Sequence, residues 1–282
     1  MNDICIDELS QQWLYEACAR GATGLLRDLV EESPCRVDIA ADDNRALVYA
    51  AACGRLKVLR YLLEQAPRYC SCKADTGAMG FAAFISAAMN GHLNVVRYLL
   101  EKAPRYGYML PDHDAFDNAL LNAAQKGRSA VAGYLADRGA PALGISEIHA
   151  DAAFSVALRN LNIRTLRLLI STPTTVRLSR KHTDFTIQSF FSLADTGGFS
   201  NREERITGER LAMADYLLHE FPFVSGHAPD LGDMDNFPAG VRLYLESKRI
   251  MLKSLRGMSE LGIPHGEWRG LLARFTDHQA TE

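Results

Sequence analysis

Six cysteines and eight histidines are the side chains of this sequence best suited to bind metals or act as nucleophiles, and their spacing limits what they can do together. Cys70-Ser71-Cys72 is one close thiol pair. A zinc site needs a second Cys or His pair at ligand spacing, and none lies nearby, so the pair reads as loop thiols. No histidine lies within four residues of another. His219-Glu220 starts like a metalloprotease helix, but Phe221-Pro222 follows, and proline cannot continue the helix face that would carry the second ligand. Asp230-Leu231-Gly232-Asp233-Met234-Asp235-Asn236-Phe237 gathers three acidic residues as a cation loop would. Counted from Asp233, however, a calcium loop's glycine falls on Pro238 and its closing glutamate on Tyr244, which leaves an acidic, solvated linker. Glycine-rich phosphate loops and the nucleophile elbow are missing as well. The expectation is a chain with no catalytic residues, no metal ligands and no cofactor, and therefore not an enzyme.

Charge and composition narrow the partners. Among 282 residues, 31 Lys+Arg stand against 34 Asp+Glu for a net charge of −3, so the field of the whole chain does not attract nucleic acid or an anionic membrane. The 48% hydrophobic content is that of a packed globular protein. Its longest nearly apolar stretch, Ala78 to Met89, is far short of the roughly 18 to 20 residues that span a bilayer. No nucleic-acid partner and no integral membrane association are expected. Met1-Asn2-Asp3-Ile4-Cys5-Ile6-Asp7-Glu8 is acidic where a secretory signal is basic, and Cys18 and Cys53 fall inside apolar helical patterns. The six cysteines therefore read as reduced thiols of a cytoplasmic, monomeric protein.

The elements that must position any site are repeated. Leu59-Arg60-Tyr61-Leu62-Leu63-Glu64-Gln65-Ala66-Pro67-Arg68-Tyr69 returns 37 residues later as Val96-Arg97-Tyr98-Leu99-Leu100-Glu101-Lys102-Ala103-Pro104-Arg105-Tyr106. Ahead of each stands a small-residue helix ending in glycine, Ala50-Ala51-Ala52-Cys53-Gly54 and Ala87-Ala88-Met89-Asn90-Gly91. The same frame occurs at Ala17 to Gly21 and at Ala123 to Gly127, so the glycines are spaced by 33, 37 and 36. A weaker fifth copy puts Leu161 in the glycine place, with Leu166, Leu169 and Ile170 behind it. A sixth is split, with Phe190 to Gly197 as its first helix and Leu211 to Leu218 as its second. Adjacent alanines let first helices approach closely, and the glycine ends each by turning left-handed. Apolar pairs four and five, then eight and nine, residues after the glycine give the second helix an apolar stripe. Such a pair buries its apolar face only by stacking on the next copy.

Residues 87 to 101, Ala-Ala-Met-Asn-Gly-His-Leu-Asn-Val-Val-Arg-Tyr-Leu-Leu-Glu, resemble the central half of an ankyrin repeat. The resemblance covers roughly residues 10 to 172. It implies an all-α fold, an ankyrin-type helix-pair solenoid with irregular loops and a C-terminal helical cap. Residues 1–175 would hold five repeats, 176–240 a degenerate repeat with an insertion at 198–209, and 241–282 the cap. His92 stands where such repeats carry a histidine that satisfies nearby backbone.

By the same resemblance, a concave groove would be lined by the residues just before each glycine: Arg20, Cys53, Met89 and Asn90, Gln125 and Lys126, Arg159 and Asn160. Loop positions ahead of the first helices add Asp42 and Asn44, Met79 and Phe81, and Asp114 and Asp117. Separately, Val241 to Arg256 reads as one amphipathic helix with a basic stripe of Arg242, Arg249, Lys253 and Arg256. The expected function is a scaffold that binds a protein partner through the groove. Its irregular copies are similar in style to ankyrin proteins that intracellular bacteria deliver into host cells. The alternative is an enzyme, or a module regulating one, with a site in residues 176–240, where Arg177, Arg180, His182, Asp184, Arg202, Glu203 and Glu204 are the polar candidates.

Overall fold

The computed structural model describes residues 8–32, 37–69, 73–142 and 147–171, and beyond these 183–184, 186–188, 190, 212–222, 230–231, 245, 248–264 and 266–272. Among the described residues the chain is all-helical, with no strand. It forms two compact units, Met1–Ile145 and Ser146–Glu282. The division at 175 expected from the fading of the repeats thus lies well beyond the boundary between the units.

The first unit is four helix pairs. First helices are α1 (Glu8–Arg20), α3 (Ala41–Ala52), α5 (Ala78–Asn90) and α7 (His113–Gln125); second helices are α2 (Thr23–Arg27), α4 (Leu56–Arg60), α6 (Leu93–Glu101) and α8 (Ser129–Ala142). The α2 and α4 segments run on into single π turns, Asp28–Glu32 and Tyr61–Gln65. First helices pack in chain order, α1 on α3, α3 on α5 and α5 on α7, and second helices do the same. The alanine pairs explain the close approach, since Ala50, Ala51, Ala87, Ala88, Ala123 and Ala124 are all fully buried. Behind them Val58, Leu59, Val95, Val96, Val131 and Ala132 bury the expected stripe of the second helices.

Each first helix ends in the same way. The residue after the glycine donates its N–H to the carbonyl five residues back, Arg55 to Ala50 at 2.8 Å, His92 to Ala87 at 2.9 Å and Arg128 to Ala123 at 2.8 Å. The start of the first helices varies more. Asp42, Asp43 and Asn44 form a left-handed turn ahead of the helix proper, as do Met79, Gly80 and Phe81. Asp and Asn adopt this conformation with little cost, whereas Met79 and Phe81 are held in it against steric preference. In the fourth pair the turn is replaced by an ordinary cap, with the Asp112 carboxylate accepting the Ala115 N–H at 2.8 Å.

In the second unit, α9 (Glu147–Arg159) and α10 (Ile163–Ser171) form a fifth pair. Leu161 takes the left-handed conformation, at φ 58°, in the place held elsewhere by glycine. Asn162 donates to Ala157 at 2.9 Å, which reproduces the turn of the other pairs. The second half of the split sixth copy is present too. Tyr216–Glu220, Tyr-Leu-Leu-His-Glu, is a single π turn like Tyr61–Gln65, Tyr-Leu-Leu-Glu-Gln. Arg167 lies over the Tyr216 ring at 5.3 Å, as Arg27 lies over Tyr61 at 5.9 Å and Arg97 over Tyr134 at 5.0 Å.

The C-terminal reading needs correction. Instead of one helix from Val241 to Arg256, a turn at Lys248 precedes α11 (Arg249–Glu260), which runs through Gly257. Leu255 and Met258 of α11 pack with Trp268, and the Trp268 indole N–H donates to the Ile263 carbonyl at 2.8 Å. Burying these side chains needs Met258 on the same helix face as Leu255, so the helix continues past the glycine to present it.

Candidate functional site

The groove expected along the first helices rests on rungs that tie one pair to the next. Ten residues before each glycine position, Gln11, Asn44, Phe81, Asp117 and Asp151 are all buried. Gln11 donates to the Asp38 carbonyl at 2.8 Å and accepts the Asp38 N–H at 2.9 Å. Asn44 accepts the Asp75 N–H at 2.7 Å. Three residues expected to meet a partner, Asn44, Phe81 and Asp117, are therefore buried, and Asn44 holds the loop at Asp75 instead. Fixing an irregular loop requires its backbone groups to be satisfied from the neighbouring pair, and the buried position is where a side chain can reach them.

A second rung runs through the residue after the glycine. The Arg55 Nε–H donates to the Ala19 carbonyl at 2.9 Å, His92 Nε2 meets the Ala52 carbonyl at 2.9 Å, and the Arg128 Nε–H donates to the Met89 carbonyl at 3.3 Å. His92 does satisfy backbone as expected, but in the preceding pair. A third rung joins second helices. The hydroxyls of Tyr61, Tyr98 and Tyr134 donate to the carboxylates of Glu31, Glu64 and Glu101 at 3.0, 2.8 and 2.8 Å.

Burial and the Glu64 carboxylate push the Tyr98 hydroxyl well above the ordinary tyrosine value of 10.0, and burial pushes Tyr108, which donates to the Leu63 carbonyl at 2.7 Å, up to about 12. In both, the fold favours the neutral hydroxyl over the phenolate. Their contribution to stability is therefore complete below pH 10 and is lost as pH rises through the folded values. Urea midpoints should be level up to about pH 10 and fall between there and about pH 12, and the Tyr98→Phe, Tyr108→Phe double variant should show a shallower fall. Equal slopes in the two proteins would refute the assignment.

What remains exposed defines the site. On the first helices it is the stripe nine, five and one residues before the glycine: Gln12, Glu16 and Arg20, then Arg45, Tyr49 and Cys53, and in the fourth pair Asn118 and Lys126, while Ala82, Ser86 and Asn90 of the third pair and Asn122 of the fourth are half-buried. This stripe is polar along most of its length. Met89 is half-buried, Asn90 donates to the Ser86 carbonyl, and Arg20 pairs with Glu16. Gln125 is exposed beside Lys126, and Asp114 is exposed at the start of α7. Arg159, the last residue of α9, and Asn160 just after it are exposed, in the second unit.

Two clusters join Asp42 and Met79 of the expected groove to residues that the sequence did not single out. In the first, Tyr15 and Tyr49 meet edge to face at 6.0 Å, and the Arg45 guanidinium lies 5.7 Å from both ring centroids. The Tyr15 hydroxyl donates to Asp42 at 2.9 Å, and Arg45 pairs with the same carboxylate at 3.5 Å. Desolvation is the main cause that raises the Tyr15 hydroxyl above its usual value. The second cluster is the loop edge, where Met79, Met109 and Leu110 are 69%, 65% and 51% exposed. Thr76 donates to the Met109 carbonyl at 3.3 Å and holds the two loops together. Arg45 and Tyr49 stand four apart on one helix, and Met109-Leu110 is an apolar pair inside a linker; both signals were legible.

The remaining candidates do not assemble. Arg256 pairs with Asp230 at 2.6 Å, and Lys253 is exposed. Arg242 and the Arg249 side chain lie outside the described residues, as do Arg177, Arg180, His182, Arg202, Glu203 and Glu204. Asp184 accepts the Asp230 N–H at 2.9 Å, and Gln188 donates to the Asp230 carbonyl at 2.8 Å, a clamp of the same kind that Gln11 places on Asp38. Burial pushes the Cys18 thiol up to about 12, which makes it an inert core residue, and Cys53 is an exposed thiol. Cys70 and Cys72 lie outside the described residues. No helix among those described is long and apolar enough to cross a membrane.

No protein-family model, no curated protein and no solved structure matches the chain. Its class therefore stands on its own geometry: an all-helical protein of repeated helix pairs, joined by side-chain rungs.

Proposed function

We propose that the chain is an ankyrin-type solenoid that acts as a non-enzymatic scaffold and binds a protein partner along its first helices and loop edge. The observation that carries this reading is the exposed apolar edge of Met79, Met109 and Leu110 on loops that are otherwise pinned by buried rungs. Exposed, deformable methionine on a rigid support suits an apolar anchor from a protein partner, and the Tyr15–Tyr49–Arg45 cluster supplies the aromatic and arginine character enriched at binding hot spots. The fifth pair and the π turn at Tyr216 extend the repeat reading into the second unit. The likeness in style to ankyrin proteins delivered by intracellular bacteria makes a host protein the proposed partner and host cytoplasm the proposed setting.

The test is affinity capture from host lysate with the wild-type chain and with a Met79→Asp, Leu110→Asp variant. Both side chains are exposed, so the circular dichroism spectrum and melting should be unchanged while the captured protein is lost, a weakening of about tenfold or more. Undiminished capture by the folded variant would remove the loop edge from the interface.

A further inference from the structure

The near-identity of the two eleven-residue segments extends to positions that the core does not require. Leu59, Leu62 and Leu63 and their counterparts Val96 and Leu99 are buried, which the packing explains. Arg60 and Arg97, Arg68 and Arg105 are exposed, and Tyr69 and Tyr106 are 48% and 49% exposed. The first and fourth copies, which share the same core stripe, carry Val30-Glu31-Glu32 and Ala136-Asp137 where these segments carry Leu63-Glu64-Gln65 and Leu100-Glu101. Core packing and the tyrosine rungs therefore account for most of the repeated sequence and leave the exposed Arg68-Tyr69 and Arg105-Tyr106 pairs unexplained.

Of the repeated basic residues, Arg60, Arg97 and Arg105 line a hollow of about 470 Å³ on the second-helix face, with Lys102 beside them. Its two carboxylates are committed. Glu64 accepts the Tyr98 hydroxyl at 2.8 Å and the Arg60 Nε–H at 3.2 Å, and Glu101 accepts the Tyr134 hydroxyl at 2.8 Å. Lys102 and Arg105 pair with no carboxylate among the described residues, and Arg97 is held over the Tyr134 ring. An adjoining hollow of about 330 Å³ shares Arg60 and Glu64 and adds Arg27 and Lys57. Cations thus outnumber carboxylates in both hollows, on a chain whose net charge is −3.

We propose that this outer face binds a ligand carrying clustered phosphate monoesters, either a soluble inositol polyphosphate or the headgroup of a phosphoinositide. Guanidinium forks match phosphate oxygens in pairs, and each phosphate monoester brings up to two charges. Four cations around one hollow of small-ligand size need that charge density. The carboxylates of an extended acidic peptide carry one charge each and are spread along the strand, about 3.3 Å of chain per residue, so few of them would reach into the hollow together. Glu64 and Glu101, each tied to a tyrosine of the next pair, hold the wall of the hollow; Arg60 is paired with Glu64 and Arg97 lies over Tyr134, which leaves Lys102 and Arg105 as the cations that turn to the ligand.

The experiment is calorimetric titration of the full chain with inositol hexakisphosphate at about 150 mM salt, where exposed long-range attraction is screened. Sedimentation with vesicles containing phosphatidylinositol bisphosphate, against vesicles of phosphatidylinositol, forms the lipid arm, and an oligoglutamate peptide is the control. Saturable binding of the soluble phosphate is expected, and a Lys102→Glu, Arg105→Glu variant should bind at least about thirtyfold more weakly, because two charge-assisted contacts are reversed. Both side chains are exposed and pair with no carboxylate, so melting should not move; the milder Lys102→Gln, Arg105→Gln variant should give an intermediate loss. Binding in the vesicle arm as well assigns the lipid headgroup, and binding in the soluble arm alone assigns the free polyphosphate. No saturation below about 1 mM in either arm, equal binding by the charge-reversed variant, or oligoglutamate binding as tightly as the phosphates would each overturn the proposal. The loop-edge variant Met79→Asp, Leu110→Asp should bind the phosphate unchanged, which separates this face from the partner site.

Discussion

Gly54→Ala should destabilise the first unit by about 3 kcal/mol, measured as a shift of the urea midpoint at unchanged slope. Two effects add. Gly54 sits at φ 68°, where a residue with a Cβ meets its own carbonyl, at a cost of about 1–2 kcal/mol. A Cβ built there would also stand 2.5 Å from Nδ1 of His92, which the bond from Nε2 to the Ala52 carbonyl holds in place. The ring must give up that bond or the helix end must shift, adding about 1–2 kcal/mol. The two contributions separate in a double-mutant cycle. His92→Ala alone should cost about 1 kcal/mol. In the Gly54→Ala background it should cost nothing or restore stability, because it removes the clash, so the coupling should be about 1–2 kcal/mol. Additive costs would mean that the glycine serves the turn alone. The same geometry recurs at Gly21 with Arg55 and at Gly91 with Arg128, where a Cβ would meet the arginine Cδ at 2.9 and 2.8 Å. Those side chains are flexible at that point, so the penalty should be smaller than against the imidazole.

Phe84→Ala should be the costliest single truncation in the first unit, about 3–5 kcal/mol. The side chain is 1% exposed and its ring lies 6.0 Å from that of Phe116, so α5 and α7 share one aromatic contact that links consecutive pairs. Alanine would leave a cavity between two helices already in close contact through alanines, and such helices have little freedom to collapse into it. Because the main helix contacts of the first unit run between consecutive pairs, the damage should propagate as loss of cooperativity instead of one uniform shift. Hydrogen exchange is expected to rise first in α5 to α8 and less in α1 and α2. A loss below about 1 kcal/mol, or uniform protection changes, would contradict this account. The conservative Phe84→Leu variant should recover most of the stability, since its volume nearly fills the site.

Much of this was readable in the sequence, for a physical reason. Helix pairs that bury an apolar face on neighbouring copies repeat their pattern locally, so the spacing of Ala50-Ala51, Gly54 and Val58-Leu59 in one copy predicts Ala87-Ala88, Gly91 and Val95-Val96 in the next, and the structure buries all of the apolar members. Even Leu161, the least glycine-like member, takes the left-handed turn that its register demanded. The site was less legible, because exposure depends on which residues the neighbouring copy reaches. Asn44, Phe81 and Asp117 occupy a position that looks open along the chain and is buried in the fold. Arg55, His92 and Arg128 carry three bonds that no single copy contains, since each acceptor lies 36 to 40 residues earlier. The C-terminal helix shows the same limit: its start at Arg249 and its course through Gly257 follow from packing Leu255 and Met258 with Trp268. Period, polarity and turn chemistry are local, and the sequence alone determined them: the helix pairs, their order and the residues of their core. Which polar side chains would serve as rungs, which loops would leave methionine in water, and where four cations would share one hollow are relations between copies, and only the tertiary structure decided them.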